Sequence, residues 1–431
     1  MATELKRTLS LTQLTFYGVG TIVGAGIYSV LGAAAGVAGE ALWVSLLLAG
    51  LAALLTGLSY AELISLFPRA GAEYHFLKAA FPRWTLLSFL AGYLIALNAA
   101  ATSATVALAF GGYARVFADL PVWASALALL AACTLVNVLG IRQATWVSMG
   151  IVVVEVGGLL LLAGAGFLHT DVMTVVQWPQ ADASAGIFIG AALIFFIYIG
   201  FEDVANLAEE ARRPERDVAR ALLLSIVITS VLYLLVAWVV LALASPAMLA
   251  ASSSPLTTAA GVISPGLGQA LAFAALFSTA STALISLVSI SRLLYGMARD
   301  GALPSVLARV GRRQTPWVAA LALFAAACAL LPLGEVKIVA SIASLGVLGV
   351  FVAVHVAVIR LRYTAPGLAR GFRVPGAVGA LPLLPVLGIV MALGLMTQFE
   401  PRVYAVAALA VAVGLALRWL AQREQRRQSP V

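Results

Sequence analysis

Charge is sparse in this chain. Only 10% of its 431 residues are Asp, Glu, Lys or Arg, against 62% hydrophobic, and the mean hydropathy is +1.04. That balance excludes a soluble globular domain and reads as an integral membrane protein. Cysteine is scarcer still: Cys133 and Cys328 both lie in apolar stretches, which reads as two buried inert thiols and not as a disulfide framework. His75, His169 and His355 stand apart, without a His-Glu-x-x-His pattern, so no metal site or metalloprotease is expected. Lysine occurs only at 6, 78 and 337 and never follows glycine. That excludes a Gly-Lys phosphate loop and leaves an ion gradient or exchange as the energy source. No Gly-x-Ser-x-Gly elbow is present and no nucleophile–base pair can be assembled, so neither an enzyme nor a cofactor is expected. A cleavable leader is not expected either, because Met1 to Leu11 is polar and the apolar run after it is too long for one.

What the chain has instead is a succession of apolar runs. The formal charge of +8 is spread over short connections, so it reflects membrane topology and not nucleic-acid binding. Twelve spans are expected at about 12–36, 41–66, 85–116, 122–139, 145–168, 185–207, 220–244, 266–299, 316–332, 338–360, 380–398 and 402–420. With that count, 23 Lys and Arg fall on the side of the termini and three, Arg115, Lys337 and Arg402, on the other. The positive-inside rule then puts both termini in the cytoplasm of a multi-pass protein of the plasma (inner) membrane. No connection is long enough for a soluble domain. The uncharged segment Ser245–Pro265 is either a fold-back lid or a polar external loop.

Two spans carry breaks. Gly18, Gly20, Gly24 and Gly26 crowd the middle of the first, where thirteen to fifteen residues of helix, roughly 20 Å, reach about halfway across the core. In the sixth, Gly200 follows Phe195-Phe196-Ile197-Tyr198 and precedes Glu202-Asp203. Glycine is a poor helix former, and irregular backbone survives in a bilayer only where protein or a cavity surrounds it. Gly20-x-x-x-Gly24 alone also reads as close helix packing. Interruptions at corresponding places in two halves, however, point to a secondary transporter. Spans 1 and 6 run in opposite senses, which fits a 5+5 inverted repeat. The half-helix amides suit a carboxylate and the free carbonyls an ammonium, so a zwitterionic amino acid fits both. A channel would need a continuous polar pore, which the scattered intramembrane acids do not form.

Four segments in order, GVGTIVGAGIY, YAELISLFPRAGAEYHFLKAAF, FFIYIGFEDVANLAEEARRPERDVARAL and SRLLYGMARDGALP, resemble the amino acid–polyamine–organocation (APC) superfamily permeases. The resemblance covers nearly the whole chain. It implies an all-α integral membrane protein with twelve transmembrane helices in the LeuT-type arrangement. The first five-helix repeat would span 12–168 and the second 185–360, with two helices appended over 380–420 and cytoplasmic segments at 1–11 and 421–431. It implies an alternating-access amino acid transporter, a proton-coupled symporter, with a sodium-independent amino acid or polyamine exchanger (antiporter) as the alternative. Carried over by position, Ile22, Gly24, Ala25, Gly26 and Ile27 would line the carboxylate and amino group. The backbone from Phe195 to Tyr198 would complete the amino-group cage, with Phe196 closing over the substrate. Gly200 and Phe201 would border the side-chain pocket. Many relatives have Ser or Thr where this chain has Ala25.

The expected partners are a small amino acid, a proton or sodium ion, and lipid. Glu155, thirteen residues beyond Arg142, lies roughly 20 Å into the bilayer, where an acid is costly to ionise. It is either a proton carrier or a protonated group hydrogen-bonded to a neighbouring span. Glu202 is a second coupling candidate. Like Asp203, it also suits the first turn of a half-helix. Ser278, Thr279, Ser281 and Thr282 form either a cation site or hydroxyls bonded to their own helix. Asn98, Ser341 and Ser344 are weaker cavity candidates. Glu62, near the inner surface, is expected to pair with loop arginines.

Overall fold

The computed structural model describes residues 9–68, 72–139, 145–171, 173, 184–311, 315–333 and 335–428. Lys6, Arg7, Arg69, Arg142, Arg312 and Arg313, part of the charge count above, lie outside the described residues. The described chain is almost entirely helical. Its helices are α1 (Leu11–Val23), α2 (Gly26–Ala38), α3 (Leu42–Leu66), α4 (Ala72–Ala80), α5 (Thr85–Ala114), α6 (Val122–Leu139), α7 (Thr145–His169) and α8 (Ser184–Ile194). They continue with α9 (Ala219–Leu243), α10 (Pro246–Ala251), α11 (Pro255–Ile263), α12 (Pro265–Arg299), α13 (Trp317–Leu330), α14 (Val336–Thr364), α15 (Leu383–Met396) and α16 (Pro401–Gln428). Among the described residues, nine helical stretches are long and apolar enough to cross a membrane, and three shorter apolar helices accompany them. This is a multi-pass membrane protein.

Similar hydropathy hides very different positions. α5 and α14 each have 72% of their most apolar window buried inside the protein, whereas α16 has 11%. The first two form the centre of the fold and α16 faces outward. Small residues allow close approach at the centre: buried Ala99, Ala100, Ala101 and Ala104 line α5, and Ala340, Ala343 and Gly346 line α14. Such residues are the usual means of packing helices in lipid.

The first long apolar run is not one helix. α1 starts at a capping box: Ser10 Oγ accepts from the Gln13 amide at 3.4 Å, and Gln13 Oε1 accepts from the Ser10 amide at 3.0 Å. This satisfies donors that a helix start leaves open. α1 ends at Val23, Gly24 takes φ 11° and ψ −153°, and α2 begins at Gly26. The sixth run breaks too. α8 tightens into a 3-10 turn over Phe195–Tyr198, Ile199 is extended, and Gly200 takes φ 119° before a second 3-10 run over Phe201–Glu210.

Gly200 is required on two counts. Its φ lies in the region that side chains avoid, and a Cβ there would sit 2.7 Å from the Thr21 carbonyl oxygen. Gly200→Ala is therefore expected to cost about 1–3 kcal/mol in backbone strain alone and to push the two breaks apart. Its measure is the yield of monodisperse protein after detergent extraction. A variant that extracts and melts like the parent would show that the breaks do not meet at this point.

The segment between α9 and α12 folds back as α10 and α11. Leu249, Pro255 and Leu256 are buried, and Gly32 of α2 packs against Pro255 and the Leu249 carbonyl. Of the two readings of Ser245–Pro265, the fold-back is the one observed.

Candidate functional site

The two breaks meet at a cavity of about 40 Å³ lined by Thr21, Ile22, Gly24, Ala25, Gly26, Thr102, Val106, Phe196, Ile197, Ile199 and Thr282. That is several times the least space that holds one water. No charged side chain is among the lining residues.

The polarity comes from main chain and hydroxyls. Ala25, at the start of α2, has no side chain that caps the helix, so α2 presents its first amides at the break, where a helix has no internal partners for them. The Ala25 amide donates to Thr282 Oγ1 of α12 at 3.0 Å. A hydroxyl thus stands beside the break although position 25 has none. On the other side, Tyr233 of α9 is fully buried and aims its hydroxyl between the segments. It lies 2.8 Å from the Ile22 carbonyl and 3.1 Å from the Ile197 carbonyl. One phenolic proton is shared between the two interrupted helices.

Of the residues singled out in the sequence, Ile22, Gly24, Ala25, Gly26 and Phe196 lie together in the lining, and Thr282 joins them. Ile27, Phe195, Tyr198, Gly200 and Phe201 do not line it. Phe195 and Phe201 both pack on the Phe351 ring, at 6.0 and 5.3 Å between centroids. Tyr198 packs edge-on against Tyr233 at 5.6 Å. Ile197 lies in the backbone stretch expected to cage the amino group, and it too is in the lining; Thr21, Thr102, Val106, Ile199 and Tyr233 were not expected from sequence. A hydroxyl in an apolar span needs a partner, which is the signal Tyr233 carried.

Glu155 of α7 is buried just behind the cavity wall. Its Oε1 accepts from Ser281 Oγ at 3.1 Å, one residue from Thr282, and its carbonyl accepts from Tyr28 of α2 at 3.0 Å. Thr279 donates instead to its own helix, to the Ala275 carbonyl at 2.7 Å. Ser278 and Thr279 are fully buried. Glu202 Oε2 accepts from the Gly200 amide at 2.9 Å, so this side chain folds back onto the backbone of the break. Below it, the Tyr60 ring is enclosed edge-on by Phe76, Phe201 and Phe351, and its hydroxyl donates to Glu73 of α4 at 2.9 Å. Burial holds the Glu73 carboxyl above the usual carboxylate range.

A family described as amino acid permease matches residues 9–417. The chain belongs to the amino acid permease family. It is thereby a member of the amino acid–polyamine–organocation superfamily, whose members are transporters and not enzymes. The permease is 29% identical to the branched-chain amino acid permease BcaP of Bacillus subtilis (strain 168), over 91% of this chain and 88% of the relative. It is 28% identical to the methylthioribose transporter of the same organism, over 98% and 94%. It is 31% identical to the vacuolar cationic amino acid transporter 4 of Arabidopsis thaliana, over 84% of this chain and 64% of that one.

Proposed function

We propose that this permease is a secondary active amino acid transporter that works by alternating access and takes neutral aliphatic amino acids. One observation carries the reading: two interrupted helices meet at a cavity whose polar groups are backbone and hydroxyl. Backbone amides and carbonyls suit the two ends of a zwitterion. The side-chain wall of Ile22, Val106, Phe196, Ile197 and Ile199 suits an aliphatic group and offers no acid to a cationic one.

Counting α1 with α2, and α8 with the turns after it, as one span each gives twelve spans. The first five and the next five then run in opposite senses, and α15 and α16 follow. The bias of Lys and Arg over the whole chain supports a cytoplasmic position for both termini, and we take the membrane to be the plasma (inner) membrane.

The test is a thermal-shift screen of the purified protein against the twenty amino acids and small amines, because ligands of the folded form stabilise it. Leucine, isoleucine or valine should raise the melting temperature more than arginine, lysine or putrescine. A larger shift with the cations would overturn the substrate assignment. Saturable leucine uptake into proteoliposomes separates a carrier from a channel.

Glu155 is the proton site in this reading. It is buried, lies one residue from the cavity wall through Ser281, and carries an ionisable group where charge is expensive. Glu155→Gln should cut pH-gradient-driven leucine accumulation about tenfold, roughly 1.4 kcal/mol, while gradient-free leucine exchange stays within a few-fold of the parent. Undiminished accumulation in the variant would rule the role out.

A further inference from the structure

Polar bonds join many helix pairs in this fold, among them α3 to α8 through Ser45 and the Ile187 carbonyl and α5 to α16 through Tyr93 and the Ala410 carbonyl; two sets bear on α14. One set joins α3 to α14 and to the chain that follows α14. His355 of α14 is fully buried, with Nδ1 2.8 Å from Ser59 Oγ and Nε2 3.3 Å from Thr56 Oγ1, both on α3. Thr56 gives its own proton to the Ala52 carbonyl, so its oxygen accepts from Nε2–H and Ser59 donates to Nδ1. That assigns a neutral ring with both nitrogens satisfied. α15 closes over the same ring at Gly388, where a Cβ would lie 2.3 Å from the ring. Two turns further along α14, about 10 Å nearer the cytoplasmic end, Arg362 meets Glu62 of α3. The guanidinium Nε lies 2.9 Å from Glu62 Oε1, Arg370 Nε reaches the same oxygen at 3.2 Å, and the Val374 amide donates to Oε2 at 2.8 Å. The chain after α14 is thereby strapped across the end of α3, where Ser65 also donates to the Phe372 carbonyl at 3.2 Å.

A second set joins α5, α6 and α12. Ser286 of α12 donates to the Ala99 carbonyl of α5 at 3.3 Å. Asn137 of α6 donates to the Leu287 carbonyl at 3.1 Å and to Ser291 Oγ at 3.2 Å, both on α12. Between the sets, α14 lies against α5 through small and aliphatic side chains. Among the described residues no side-chain hydrogen bond joins α14 to α5. The outer end of α14 is tied to the start of α16 by Lys337 and Glu400, a half-exposed pair of the kind that contributes little.

We infer that α3, α14 and α15 move as one body during transport, locked by His355 within the membrane and by the Glu62–Arg362–Arg370 strap at the inner face, and that the apolar α14–α5 face is where this body slides. A directed bond between helices has one favourable geometry, whereas an apolar face of small side chains tolerates several. Motion is therefore expected along the face that has no bonds to break. The inference rests on the alternating-access reading, and its test separates the two.

Spin labels are placed on cysteines at exposed positions in a Cys133→Ala, Cys328→Ala background. One pair is Leu47 of α3 with Tyr363 of α14, and the other is Leu47 with Phe273 of α12. Distances are measured by pulsed EPR in lipid nanodiscs at pH 5 and pH 7.5, with and without leucine or arginine. The Leu47–Tyr363 distance should stay within about 2 Å throughout while Leu47–Phe273 shifts by about 5 Å or more, amplitudes on the scale of helix and domain shifts. Comparable shifts in both pairs overturn the inference and leave alternating access standing. No shift in either pair overturns both. Glu62→Gln, which breaks the strap, should broaden the Leu47–Tyr363 distribution. An unchanged width in that variant would also count against the lock.

Discussion

Tyr233→Phe is expected to raise the KM for leucine about tenfold while changing the maximal rate less than threefold. The variant keeps the ring and its edge contact with Tyr198, so packing is preserved. It loses only the proton shared between the Ile22 and Ile197 carbonyls. Hydrogen bonds between helices in membranes are worth about 0.6–1.7 kcal/mol, and an orphaned buried carbonyl costs about 1–3 kcal/mol. Because one proton serves two acceptors, a total near 1.4 kcal/mol is reasonable, which is tenfold in binding. The loss should appear in binding because the bond holds the two broken segments in register around the cavity. A melting temperature close to the parent's, together with the raised KM, distinguishes this positioning role from a structural one. An unaltered KM would mean that the segments keep their spacing without Tyr233.

The two breaks were legible because glycine is so unfavourable in a helix interior that a cluster of it mid-span has few explanations. Gly24 and Gly200 fall at the observed interruptions. That Glu62 pairs with arginine was legible for a similar reason, since a carboxylate at the end of an apolar span needs a partner, but which arginines was not: Arg362 lies within α14 and Arg370 in the chain after it, some 300 residues on. What sequence did not display was depth around the cavity. Phe195, Tyr198 and Phe201 belong to the same motif as Phe196, yet only Phe196 reaches the lining. The 3-10 turn after α8 rotates successive side chains by about 120°, so neighbours in sequence face different helices. Thr102, Val106 and Tyr233 come from spans whose uniform hydropathy gives no facing signal; in α9 the apolar positions run all round the helix. The same uniformity made α5 and α16 look alike, although one is the centre of the fold and the other its edge.

Glu62→Gln should produce the largest loss of stability. Glu62 and Arg362 are 1% and 3% exposed, and Arg370 adds a second cation to the same carboxylate. Removing one partner of a buried ion pair leaves an uncompensated charge and typically costs about 3–5 kcal/mol. Here the site already holds two cations to one anion, and Arg362 Nη1 is buried with no hydrogen-bond partner. The glutamine would leave two guanidinium groups facing each other without a counter-charge, and it would weaken the anchor of the Val374 amide. The measurement is the apparent melting temperature of detergent-solubilised protein. The double variant Glu62→Gln, Arg362→Met provides the control, because it removes one stranded cation and replaces it with a side chain suited to the apolar surroundings. The double variant should melt above Glu62→Gln and below the parent. If the single variant melts with the parent, the carboxylate is not what fastens α14 and the chain after it to α3. If the double variant melts below the single, Arg362 stabilises the fold through its backbone partner at Val374 more than through Glu62.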